Sequence, residues 1–182
     1  MKLLRTIRLD PSDTFIFERA AEPGEWAVPG GFVFFDVDPA ALDAKARVAF
    51  RSGFLGIASL GFSTLVQIVE ASDADHAAAV ETLAGQLVAR FGAPDLAIAR
   101  RAAAEEFAFA ASLTDHATDT LIAMHRVHAD GAIRETFRTL KPRGGAKPLR
   151  AFSLLEVEDA EPAEPAAKEE VDLLTLARKE GA

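Results

Sequence analysis

Three groupings of residues have types and spacings that suit chemistry. His125 and His128 lie three apart, with Asp115, His116 and Asp119 close in sequence, and imidazole with carboxylate can make a mixed nitrogen–oxygen metal site. That spacing shares one face of a helix but falls on opposite faces of a strand. The surrounding residues read as a strand, so surface histidines and no metal are expected. Lys141, Arg143, Lys147 and Arg150 surround Gly144 and Gly145, and a glycine-rich backbone with cations can cradle an anion such as a phosphate-bearing ligand or an acidic partner surface. The order lacks G-x-x-x-x-G-K-[ST], so a plain connection between strands is the competing reading. Trp26 with Pro29, Gly30 and Gly31 could line a pocket, since glycine admits close approach of a ligand. Core or rim packing of the tryptophan, with the glycines turning a corner, is the reading favoured over a pocket.

Two carboxylate pairs, Glu105–Glu106 and Asp36–Asp38, are close in sequence. Acid–base chemistry needs such groups in one cleft with a shifted pKa, which adjacency in sequence does not supply. No nucleophile elbow or catalytic triad pattern is present. The chain has no cysteine, which removes disulfides, thiolate metal sites and cysteine nucleophiles together. No cofactor signature emerges, and the residues point away from an enzyme without closing the question.

The elements that must position these groups are set within 182 residues, 49% of them hydrophobic, enough for one domain with a core. A net charge of −8 argues against a nucleic-acid partner. No apolar run approaches the roughly 18 residues of a membrane span. Arg5 and Arg8 interrupt any signal-peptide core, so the cytoplasm is the expected compartment.

The centre of the pattern is Phe62 to Phe91. Phe62, Val66 and Ile68 alternate with Leu65 and Val69, predicting a strand buried on both faces in mid-sheet. Ser72 and Asp75 resemble a capping box, and Val80, Leu83, Ala84, Leu87, Val88 and Phe91 make the stripe of a helix that Gly92 and Pro94 end. Before this unit, Leu3–Leu9, Phe15–Phe17 and two segments of Trp26–Asp36 bent at Pro29–Gly31 read as strands. A helix is expected over 39–50, opened by Asp38 and Pro39. A second long helix follows from Asp95 to about Leu113, with Leu96, Ala103, Phe107 and Ala110 on one face. Asp130-Gly131 is a favoured type I′ turn. It places Met124 opposite Phe137, Arg126 opposite Glu135 and Ile122 opposite Thr139. Leu149 to Val157 reads as a last strand.

Composition then changes. Residues 158–170 are proline, alanine and glutamate, an extended linker. Residues 171–182 suit a short amphipathic helix, with Val171, Leu173, Leu174, Ala177 and Arg178 on its apolar side. So short a helix is marginal alone, which suits a tethered peptide docking on another protein, with folding back on its own body and disorder as the alternatives.

The opening MKLLRTIRLD…FIFE, GEWAVPGGFVF and GFSTLVQIVEA resemble a small uncharacterised proteobacterial family of unknown function. The resemblance covers roughly residues 1–157. It implies an accessory role in assembling a respiratory redox enzyme and supplies no catalytic residues.

Together these observations predict one α+β domain over 1–157: a mostly antiparallel sheet with three helices packed largely on one face, followed by a flexible acidic tail. The first functional expectation is a non-catalytic accessory protein that binds a protein partner through its C-terminal helix, without membrane or nucleic acid, self-association staying open. The second is a small-molecule-binding protein or enzyme with a pocket near Trp26–Gly31.

Overall fold

The computed structural model describes residues 1–141 and the strand Glu156–Glu158. Strand β1 (Lys2–Ile7) lies at the middle of an antiparallel sheet because its residues find partners on both sides. On one side it pairs with β2 (Trp26–Val28), and on the other with β5 (Leu65–Glu70), through the register Leu4↔Ile68 and Thr6↔Val66. Outward from β2 come β3 (Phe54–Gly56) and β4 (Phe62–Ser63). Outward from β5 come β6 (Leu121–Ala129), β7 (Ala132–Lys141) and the three-residue β8 (Glu156–Glu158). The order is therefore β4-β3-β2-β1-β5-β6-β7-β8.

This sheet is curled. Phe54 on β3 and Phe137 on β7 have four strands between them in that order, yet their ring centroids are 6.2 Å apart. Both rings, with Leu4, Ile68, Ile122 and Met124, belong to the main core.

The α+β class holds, but with four α-helices among the described residues in place of the three expected. Helix α3 (Asp73–Arg90) starts at Ser72, whose side chain accepts from the Asp75 amide while the Asp75 carboxylate accepts from the Ser72 amide, a complete capping box. Leu83, Ala84 and Leu87 are buried as the stripe predicts, whereas Val88 and Phe91 are exposed at its edge. Helix α4 (Leu96–Ser112) is capped by Asp95 and buries Ala99, Ala103, Phe107 and Ala110. Leu96 lies outside this stripe and is exposed, so Ala99 takes the place expected of it. The two helices pack on each other, and α4 also packs against β1 and β2.

Three expectations are corrected between Pro11 and Ser52. Phe15 and Ile16 belong not to a strand but to a short helix, α1 (Ser12–Ile16). Asp13 at its start is buried and accepts from the Ser63 and Thr64 hydroxyls, which fixes the helix on the sheet. Phe32–Phe34 lie not in a strand but in a 3-10 turn, Gly31–Phe34, launched by Gly30 at φ +73°. The helix expected over 39–50 is divided: Asp38 caps a 3-10 turn at Pro39–Ala41, and Asp43 caps the helix proper, α2 (Ala44–Ser52). Helix α2 packs against β6. Phe17, Phe34, Ala49 and Phe50 form a second, smaller core there.

The β6–β7 hairpin has the predicted register, including Met124↔Phe137, Arg126↔Glu135 and Ile122↔Thr139. Asp130 and Gly131 both have positive φ, as a type I′ turn requires. At the other end of the sheet, β4 is only two residues long. The amide of Phe62 donates to the Arg19 carbonyl and its carbonyl accepts from the Ala21 amide, a parallel bridge to Ala20.

Candidate functional site

Arg126 is the largest fully buried side chain of the described residues. A buried guanidinium is tolerable only when its protons are matched. Here every nitrogen donates: Nε to Glu135 Oε1 at 2.7 Å, one terminal nitrogen to the Phe50 carbonyl at 2.8 Å, and the other to the Pro29 carbonyl at 2.6 Å. The Phe50 carbonyl lies in the last turn of α2, where carbonyls lack helical partners and a cation meets the negative end of the helix. Arg126 thus joins β6, α2, β7 and the corner after β2.

That corner depends on its glycines. At Gly30 the positive φ disfavours any side chain, and a Cβ would lie 2.6 Å from Leu55 Cβ. A Cβ at Gly31 would lie 3.0 Å from Glu135 Oε1. The bare main chain lets the carboxylate approach closely.

Glu106 on α4 faces the same corner and is half-buried. Its carboxyl is pushed up to about 7, first by burial and next by neighbouring Glu135, against the opposing pull of Arg126 and of the Gly30 amide. Glu105 adds a smaller upward push.

Two hollows meet at this group. The first, about 340 Å³, is lined by Pro29, Gly31, Phe32, Phe35, Phe109, Ile133, Glu106 and Glu135. The second, about 550 Å³, lies between the 3-10 turn, α3 and α4. It shares Phe32, Phe35 and Glu106 with the first and adds Val33, Asp36, Val37, Leu87, Phe91, Ala102 and Glu105. A carboxyl with a pKa near 7 beside aromatic walls can exchange a proton at neutral pH or neutralise a cationic group. Arg126 is not free to grip an anion, because its nitrogens are engaged by the protein.

Of the residues singled out in the sequence, Pro29 and Gly31 line the first hollow, and the Gly30 amide reaches Glu106. Trp26 is elsewhere: its ring carries the Arg5 guanidinium at 3.9 Å and packs against the main core. Lys141 ends β7 opposite Glu156. Arg143, Lys147 and Arg150 lie outside the described residues, as do Val171, Leu173, Leu174, Ala177 and Arg178. His125 and His128 are exposed on β6, and no cluster of three or more histidine or carboxylate side chains fit to hold a metal occurs among the described residues. From the sequence Glu106 is visible only as the neighbour of Glu105 with no cleft assigned, Arg126 only as half of a hairpin charge pair, and Phe32, Phe35 and Phe109 not as walls of a site.

No helix among the described residues is long and apolar enough to cross a membrane. No curated protein and no solved structure matches the chain. A family model does match, over residues 1–156, which is most of the sequence. The chain belongs to that family, DUF6505, a family of unknown function.

Proposed function

We propose that this protein binds a small, largely apolar molecule in the paired hollows between the Gly30–Phe35 segment, α4 and β7, and acts as an accessory protein rather than a catalyst. The observation that carries this reading is the meeting of phenylalanine-lined hollows with a Glu–Arg–Glu group whose arginine is fully buried and whose carboxylates are half-buried. Ligand sites are concave and mostly apolar, typically about 300–1,000 Å³, with a few placed polar groups that orient the ligand. The family resemblance supports an accessory role in assembling a respiratory redox enzyme, and Arg5 and Arg8, which interrupt any signal-peptide core, support the cytoplasm as its place.

The test uses N-phenyl-1-naphthylamine, an apolar dye that is neutral at neutral pH and brightens when taken out of water. Ala102 is exposed on α4 and lines the second hollow, so Ala102→Trp fills it without entering the core. Saturable brightening is expected with the native chain, weakened roughly tenfold by the substitution, about the effect of displacing one apolar contact surface. Absence of saturable binding, or equal binding to both proteins, would overturn the reading.

A second reading has a specific support in the amphipathic spacing of Val171, Leu173, Leu174, Ala177 and Arg178 behind an acidic linker. In it the chain docks on a protein partner through this segment. A stoichiometric partner retained by the full chain and lost by a chain ending at Val157 is the expected result. Retention of the same partner by both would exclude the segment.

A further inference from the structure

We infer that the molecule taken by these hollows is an organic cation, a protonated nitrogen on an aromatic or aliphatic body, with the nitrogen seated against Glu106 and Glu135. This rests on the small-molecule reading above and specifies its ligand.

The hollows themselves are the starting observation, and their charge decides the ligand. Glu106 and Glu135 line the first, and Glu105 and Asp36 join Glu106 at the second. Among the described residues neither lining contains a lysine, arginine or histidine. Arg126 from β6 stands behind Glu135, but it is fully buried and spends Nε and both terminal nitrogens on Glu135, Phe50 and Pro29. The charged groups facing Glu106 are therefore Glu105 from its own helix, Glu135 from β7 and Arg126 from β6, with the Gly30 amide as a neutral donor. α3 and the residue that follows it contribute Leu87 and Phe91, both uncharged, to the walls.

Three kinds of ligand can be weighed against this lining. An anion meets carboxylates and, among the described residues, no available cationic donor, so it is disfavoured. A neutral apolar molecule fills the space but leaves the cost of burying Glu106 as it was. A cation supplies Glu106 with a counter-charge in direct contact, and the phenylalanine rings of Phe32, Phe35 and Phe109 line the space its body would fill. Proton and ligand then compete for one carboxylate, so binding of the cation strengthens as pH rises through the range where Glu106 ionises.

The experiment is displacement of N-phenyl-1-naphthylamine by three probes of one shape: phenethylammonium, phenethyl alcohol and hydrocinnamate. Phenethylammonium should displace the dye at roughly tenfold lower concentration than the alcohol, which is one charge-assisted contact's worth of preference, and hydrocinnamate should be weakest. Going from about pH 6 to about pH 8 should strengthen the ammonium alone, since both amine and alcohol bodies are otherwise unchanged. Glu106→Gln, checked for folding by its melting curve, should abolish the preference for the ammonium. If the dye binds but the ammonium displaces no better than the alcohol, or its advantage ignores pH, the cation inference falls alone. If the native chain does not take up the dye at all, the small-molecule reading falls with it.

Discussion

Glu106 and Glu135 share one guanidinium unequally. Arg126 donates directly to Glu135, whereas Glu106 receives only its field and an amide. The consequence is a sign that can be measured. In the folded chain the Glu106 carboxyl lies at about 7, above its ordinary 4.5. Between those values the folded state holds a proton that the unfolded chain has released, so this group's contribution falls as pH rises from about 4.5 to about 7. Glu106→Gln should remove that slope and be more stable than the native chain above neutrality, read from urea unfolding at acid and slightly alkaline pH. A native slope unchanged by the substitution would show that Glu106 is not the titrating group. A signal for this residue did exist in the sequence. Ala99, Ala103, Glu106 and Ala110 recur at intervals of four, three and four, which puts a carboxylate on an apolar helical seam. What the seam packs against is a tertiary fact, so the cavity was not legible.

At the scale of elements, local chemistry decided what could be read. The Asp130-Gly131 turn and the opposed Arg126 and Glu135 fixed the hairpin register, and Ser72 with Asp75 fixed the start of α3. Phe15 and Ile16 misled because apolar residues in a short run suit a strand or a helix, and Asp13 bonding to Ser63 and Thr64 decides for the helix. Arg126 shows the limit of local reading most clearly. Register places it beside Glu135, but its carbonyl partners come from α2 and from the corner after β2. Arg126→Met should therefore cost about 3–5 kcal/mol, because it leaves Glu135 without its cation and two carbonyls without their donor. Arg126→Met with Glu135→Leu should recover part of the loss. Chemical denaturation of the three proteins measures both. A loss under about 1 kcal/mol would mean that the group contributes no more than an exposed ion pair.

For the whole molecule, the curl is what brings distant parts of the chain together. Strand order places β1 between β2 and β5, and no local pattern reports such pairing. The contact between Phe54 and Phe137 spans the curl. A double-mutant cycle with Phe54→Leu and Phe137→Leu should show a coupling of about 0.5–1.5 kcal/mol. Strict additivity would mean that the sheet holds its curvature without this contact. The opposite margin of the sheet carries a different consequence. Strand β4 offers only two residues, and the amide and carbonyl of Phe62 are already taken up by Arg19 and Ala21. An incoming strand finds no row of open backbone groups there, so this border cannot seed the edge-to-edge stacking from which fibrils grow.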